Sequence, residues 1–167
     1  PIVDTTTNQV STTYDKDWVR NAPIPRNSFF DLINVAPGVA STSSDTWNRQ
    51  TSFGSGTNEN SYQLDGTDFT APVSGAAWPY PNTDAIEEIE VLSLGATAEY
   101  GNLQGAVFNV VTRQGSNTFK GDATFYFQHE NLTSRNTTEA QDEGNPYFRD
   151  EYREITGQLS GPIVKDK

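Results

Sequence analysis

The sequence predicts an α+β fold: a small mixed-sheet domain with short helices, followed by an antiparallel β-hairpin of the kind that builds a transmembrane β-barrel. Three observations carry that expectation. Residues 88–94 and 106–113 read as strands set apart by Gly-punctuated turns. Short runs at 16–20 and 26–35 carry helix caps and helical spacing. Residues 119–129 and 154–163 alternate apolar and polar side chains with a period of two.

Composition narrows the classes. A chain of 167 residues with 34% hydrophobic content can form a domain, but one with a modest core. The net charge of −11 argues against a partner with a phosphate backbone, so no nucleic acid is expected. An acidic balance suits a secreted or cell-surface protein. Cysteine is absent, which excludes disulfides, thiolate metal sites and cysteine nucleophiles. Methionine is absent too, and the chain opens at Pro1, so a removed leader or a fragment is expected. No run of about 18 apolar residues suggests a membrane helix, which leaves a β-barrel open.

Taken in order, Gln9 to Thr13 suits a short strand rich in β-branched residues. Asp15 caps a brief helix over Lys16 to Arg20, and Pro23 and Pro25 then force an extended link. Arg26 to Val35 places Phe29, Leu32 and Ile33 at helical spacing, with Asn27 or Ser28 as cap and Pro37-Gly38 as the stop. This predicts an amphipathic helix lying on a sheet. Ala40 to Asn60 has the Ser, Thr, Asn and Gly content of a long surface loop, in which Trp47 and Arg49 stand out. Ser61 to Thr70 reads as a hairpin turning at Asp65-Gly66. The string Asp65-Gly66-Thr67-Asp68 resembles a calcium loop only superficially, because the further ligands and the distal bidentate Glu are missing; the turn reading is preferred. Ala71 to Pro81 is an irregular loop whose Trp78 and Tyr80 serve either as buried staples or as a contact surface.

From Asn82 a short acidic helix start leads into a strand over Glu88 to Leu94, then a Gly-punctuated turn and a second strand over Ala106 to Arg113. The second strand is apolar on both faces apart from Asn109, which predicts cover on both sides. Gly115-Ser116-Asn117 then turns the chain into a different regime. There Phe119, Gly121, Ala123, Phe125 and Phe127 alternate with polar residues, as do Ile155, Gly157, Leu159, Gly161 and Ile163. A polar loop over residues 131–151 joins the two runs.

The apolar face of that pair would pack on a second sheet in a soluble sandwich, or meet lipid in a barrel. Length favours the barrel. Phe119 to His129 spans roughly 36 Å at ~3.3 Å per residue, or about 27 Å when tilted by ~40°, close to an apolar band of about 25 Å. Phe125, Tyr126 and Phe127 sit near the loop end, where an aromatic girdle belongs, and the small Gly and Ala residues would make a poor sandwich core. The lipid-facing set is then Phe119, Ala123, Phe125, Phe127, Ile155, Leu159 and Ile163. Two strands leave unpaired edges in hydrocarbon, so the rest of such a barrel is expected outside this chain.

Four stretches carry a resemblance: PRNSFFDLINVAPGV (25–39), NSYQLDGTDFT (60–70), DAIEEIEVLSLGATAEYGNLQGAVFNVVTRQGSNTFKG (84–121) and GQLSGPIVKDK (157–167). LDG, IEVL, AEYG and G-x-V-x-N-V-V-T follow one another in that order. The chain thereby resembles the plug domain of TonB-dependent outer-membrane transporters running into the first strands of their barrel, most closely the Oar-like branch. Members of that branch usually carry a carboxypeptidase-regulatory-like β-sandwich ahead of the plug.

The resemblance implies a plug over 1–116 and two barrel strands over 117–167, with an extracellular loop at about 131–151. It also implies a bacterial outer-membrane location, gating of the barrel lumen and energised transport. The implied partners are the protein's own barrel, the TonB–ExbB–ExbD complex, outer-membrane lipid and a substrate that is a peptide, protein, glycan or metal chelate. By family topology the substrate meets residues 40–50 and 68–82, so Trp47, Arg49, Phe69, Trp78 and Tyr80 are the expected contacts. Ser93-Leu94-Gly95 replaces the Arg-Gly-Pro of many relatives, leaving Arg113 as a loose substitute for their locking arginine. No TonB box is visible, because the chain opens too late to show one.

No catalytic constellation emerges, and no cofactor or metal is expected. His129 is the single histidine and falls on the apolar face of its strand, without partners for zinc or a triad. Glu87-Glu88 reads as a helix end and Glu90 as a polar strand face, and nothing around them builds the raised-pKa pocket of a glycosidase pair. The sequons at Asn131 and Asn136 matter only in a eukaryotic secretory setting. A secreted, soluble β-rich binding or adhesin module is the rival reading, and an acidic hydrolase is the weakest.

Overall fold

The fold was analysed in a computed structural model that describes residues 9–24, 28–41, 49–101, 103–132 and 151–164. It divides into two units, Pro1–Arg113 and Gln114–Lys167.

The first unit is built on a five-stranded mixed sheet in the order β1-β6-β7-β4-β5. These strands are β1 (Val10–Tyr14), β4 (Ser61–Leu64), β5 (Thr67–Asp68), β6 (Ile86–Leu94) and β7 (Val107–Thr112). β7 lies at the centre, antiparallel to β6 and parallel to β4. Register aligns two apolar rows on one face. Val91, Phe108 and Tyr62 are neighbours across three strands, and Tyr14, Ile89, Val110 and Leu64 run beside them.

Two helices belong to the same hydrophobic cluster as those rows. Helix α1 (Lys16–Asn21) starts where Asp15 accepts a hydrogen bond from Trp18 N–H at 2.8 Å, the cap anticipated from sequence. Helix α2 is shorter than the predicted run, spanning Phe29–Ile33 with Ser28 as cap; Pro25 to Asn27 lie outside the described residues. The Asp31 carboxylate accepts from Ser28 N–H at 3.2 Å, and Gly38 at φ 77° ends the segment. Phe29, Phe30, Leu32 and Ile33 are all buried, each worth about 1.5–3 kcal/mol of transfer free energy. The Tyr62 ring stacks on Phe108 at 5.2 Å and meets Phe30 edge-on at 5.9 Å.

The other face of the sheet corrects one expectation. Val107 and Leu92 are buried there, but Asn109 is only partly covered and its neighbour Glu90 is exposed. β7 is therefore covered fully on one face and only at one end on the other. A single polar residue in an apolar run marks where cover stops.

Two further expectations are revised. The stretch 40–60 is not one loop, because β2 (Val39–Ser41) and β3 (Gln50–Ser52) pair antiparallel as a separate ribbon. Gln50 and Ser52 are buried despite their polarity, and hydropathy could not reveal them. The acidic helix start is one 3₁₀ turn, Thr83–Ala85, and β6 begins at Ile86, so Glu87 and Glu88 belong to a bulged strand. The Asp65-Gly66 turn is as anticipated, with both residues at positive φ (50° and 78°), the geometry of a tight hairpin.

The second unit is a long antiparallel hairpin of β8 (Lys120–His129) and β9 (Glu151–Ser160), paired without a register shift from Lys120↔Ser160 to His129↔Glu151. Directly opposed residues share a face, so Phe125 lies opposite Ile155 and Gly121 opposite Leu159. The apolar members of that face are exposed, Ile155 at 81% and Leu159 at 82%. Phe119 lays its ring over Gly161, where a Cβ would sit 2.3 Å from Phe119 Cδ1; only glycine fits beneath it. His129 lies on the same face, 6.1 Å from the Phe127 ring, and its Nδ1 accepts from Asn131 N–H at 3.2 Å. Residues 133–150 and 165–167, including most of the predicted loop and the terminal Lys165-Asp166-Lys167, lie outside the described residues. No helix among the described residues is long and apolar enough to cross a membrane, which says nothing of strands.

Candidate functional site

Register places the first residues of β4 and β7, the last of β5 and the last of β6 at one end of the sheet. The connections that meet there need precise support, because irregular backbone has no ladder to satisfy it. Asn60 supplies much of it. Its buried side chain donates through Nδ2 to Gln50 O at 2.6 Å and accepts at Oδ1 from Ala106 N–H at 2.9 Å, tying β3 to the start of β7. Gly105 lets the chain pass, since a Cβ there would lie 2.2 Å from Asn60 Oδ1.

Beside Asn60 the Tyr62 hydroxyl donates to Gln50 Oε1 at 2.7 Å. Burial raises the Tyr62 pKa far above the usual phenol value, so it stays a neutral donor. Asp65, at the opposite end, is fully exposed and accepts from the Thr112 N–H (2.8 Å) and Thr112 hydroxyl (2.7 Å). Those bonds lower its pKa below the ordinary carboxylate value.

The 69–78 segment folds back on itself. Trp78 N–H donates to Phe69 O at 3.1 Å, Ala71 N–H to Ala76 O at 2.8 Å, and Gly75 N–H to Ala71 O at 2.8 Å. Arg49 clamps it, donating to Ser74 O at 3.1 Å and to Asn58 Oδ1. Between this loop, the 58–61 segment and Tyr100-Gly101 lies a cleft of about 460 Å³ whose walls include Asn58, Ser61, Asp68, Thr70, Val73 and Tyr100.

The sequence-predicted contacts fall in different places. Trp78 is 76% exposed, and Tyr80 is 53% exposed with its ring edge-on to Phe30 at 5.5 Å. Phe69 is partly buried against Phe29 and Tyr62, each at 6.4 Å, and so packs as a staple. Arg49 stands behind the cleft wall as a clamp. Trp47 lies outside the described residues. Sequence reasoning did not single out Asn58 or Tyr100, whose only local signal is membership of Gly-flanked polar loops, while Asp68 opens the 68–82 stretch expected to meet substrate. Arg113 faces Glu87 within its own unit, Nε to carboxylate 3.8 Å, while Lys16 reaches the same carboxylate at 3.5 Å. Among the described residues, no three His, Asp or Glu side chains are placed to hold a metal ion.

Comparison with known proteins accounts for this architecture. Residues 3–107 match the TonB-dependent Receptor Plug Domain family model. The TonB-dependent transporter Oar of Myxococcus xanthus is 27% identical over 188 residues, covering all of this chain and 16% of the relative. Among solved structures, the siderophore receptor PirA from Acinetobacter baumannii superposes with a TM-score of 0.70 at 22% identity, covering 93% of this chain and 22% of that one. The outer membrane transporter YddB from Escherichia coli gives 0.65 at 13% identity, covering 89% and 23%. The chain thus spans less than a quarter of each of these relatives, which are transporters and receptors. With the plug model matched over most of its length and the mixed sheet and short helices of that fold in place, the chain belongs to the TonB-dependent receptor plug domain family, whose members are outer-membrane proteins.

Proposed function

We propose that residues 1–116 form the plug of a TonB-dependent transporter, a folded stopper that gates a barrel whose first two strands lie within 117–167. The observation that carries this reading is the hairpin β8–β9. It follows the plug sheet directly, and its large apolar side chains stand exposed on one face: Phe125 is 62% exposed, Ile155 81% and Leu159 82%. Water penalises such a face at about 25 cal/mol per Å², whereas lipid does not. A secreted binding module would have to cover it with a second sheet. Phe119, Ala123, Phe125, Phe127, Ile155, Leu159 and Ile163 then face lipid, and Asp122, Thr124, Thr156 and Gln158 face the lumen.

The plug suits a wet lumen. Its second sheet face is polar around Glu90 and Asn109, and its loops close through hydrogen bonds. Substrate meets the end of the sheet that carries the cleft, with Trp78 and Tyr80 exposed nearby in sequence. Energy comes from the TonB–ExbB–ExbD complex acting on the plug, and substrate moves when the plug yields.

Spin-label accessibility in the membrane-embedded transporter tests the reading. Labels at I155C and L159C should respond to oxygen, and labels at T156C and Q158C to a water-soluble relaxer, alternating residue by residue. Uniform water accessibility along β9 would refute the barrel assignment. In the same protein, replacing Trp78 and Tyr80 by Ala should weaken substrate binding; unchanged affinity would remove them from the contact set.

A further inference from the structure

The cleft at the end of the sheet has an unusual charge balance. Arg49 is the sole Lys or Arg between Asn27 and Thr112. It is already engaged, donating to Asn58 and Ser74 O, so it acts as a fastening for the two loops. Among the described residues, the cleft walls contain no cationic residue. Asp68 contributes an exposed carboxylate, held in place where its Oδ1 accepts from Thr70 N–H at 2.8 Å.

An anionic ligand would enter this space against a carboxylate, with no guanidinium or ammonium among the described residues that line it. A cation carrying an aliphatic stem fits better. Asp68 offers the acceptor, exposed Pro72 and Val73 (97% exposed) offer apolar contact, and Tyr100 lines the same space. We propose that the cleft takes a basic side chain, lysine or arginine, presented by a peptide or protein ligand. This specificity rests on the plug reading for the origin of the ligand, while the lining chemistry stands apart from it.

The test uses the 167-residue chain in neutral detergent and three probe heptapeptides, alike except for a central Lys, Gln or Glu. Binding is followed by amide chemical shifts. The Lys probe should bind roughly tenfold tighter than the Glu probe, shifting Asp68, Val73 and Tyr100. Asp68→Asn, which keeps the oxygen that accepts from Thr70, should bring the Lys probe down to the affinity of the Gln probe. Asp17→Asn, an exposed carboxylate on α1, should leave the preference intact. Equal or tighter binding of the Glu probe, no binding of any probe, or an equal loss in both variants would overturn the proposal. The spin-label experiment fails or succeeds independently, so a barrel misassignment and a wrong ligand class give different patterns.

Discussion

Asn60 offers the sharpest test of how the plug holds its loop end together. Its side chain is 5% exposed and makes two bonds, to Gln50 O at 2.6 Å and from Ala106 N–H at 2.9 Å. Asn60→Ala removes both bonds at once. Ala106 is fully buried, so its orphaned N–H costs about 1–3 kcal/mol, and the Gln50 carbonyl loses a donor at a similar or smaller cost. A water entering the vacated space offsets part of this, which leaves an expected loss of about 2–4 kcal/mol. Against a total stability of about 5–15 kcal/mol, that is a large fraction. Equilibrium urea unfolding of the chain, followed by circular dichroism and tryptophan fluorescence, reads it as a lowered midpoint at constant slope. A loss below about 1 kcal/mol would refute the view that Asn60 ties β3 to β7. Asn60→Asp sharpens the test further. The new carboxyl still accepts from Ala106 N–H, but when ionised it faces the Gln50 carbonyl without a proton to donate. Its folded pKa is therefore raised, and the variant is most stable below about pH 4, losing stability as pH climbs above the ordinary carboxylate value.

Tyr62→Phe removes the 2.7 Å bond to Gln50 and should cost about 1–3 kcal/mol in the same unfolding assay. Because burial raises the Tyr62 pKa, the parent should lose stability relative to this variant only above about pH 10, where the unfolded phenol ionises first. Asp65 behaves in the opposite sense. Its lowered pKa contributes stability above about pH 4 that disappears as pH falls through the folded value, so the stability gap to Asp65→Asn should close in acid; a gap independent of pH would contradict the Thr112 bonds. In the whole transporter, Ala123→Arg, away from the aromatic girdle on the proposed lipid face, should cost about 2–4 kcal/mol of barrel stability, whereas Thr124→Arg on the opposite face should cost far less; equal effects measured by detergent unfolding would contradict the lipid assignment.

Local patterns made much of the fold legible. Period-two alternation in β8 and β9 needs only the pleat, so residues 119–129 and 154–163 declared their two faces directly. The Asp65-Gly66 turn and the Asp15 cap are chemistry within a few residues, and both were readable for that reason. The helix over Phe29–Ile33 followed from its apolar spacing, though its length did not. Where polar residues are buried, the reading failed. Gln50 and Ser52 look like loop residues, yet β3 pairs with β2 because Asn60, Tyr62 and Ser93 satisfy its polar groups from 10 to 41 positions away. The same non-local pairing governs Arg49. Family topology made it an expected substrate contact, and no local pattern signalled the bonds by which it holds Asn58 and Ser74.

By itself, then, the sequence determined the α+β class, the central β6–β7 pair, the exposed apolar face of the hairpin and the family, because each depends on short-range periodicity or on an ordered series of motifs. Only the tertiary structure decided where β7 loses its cover, that β2 and β3 pair with Gln50 and Ser52 buried, and that Asn58, Asp68 and Tyr100 line one cleft. Those outcomes depend on which hydrogen-bond partners meet across distant segments. A buried polar group is stable only where its partner arrives, and no local pattern encodes that arrival.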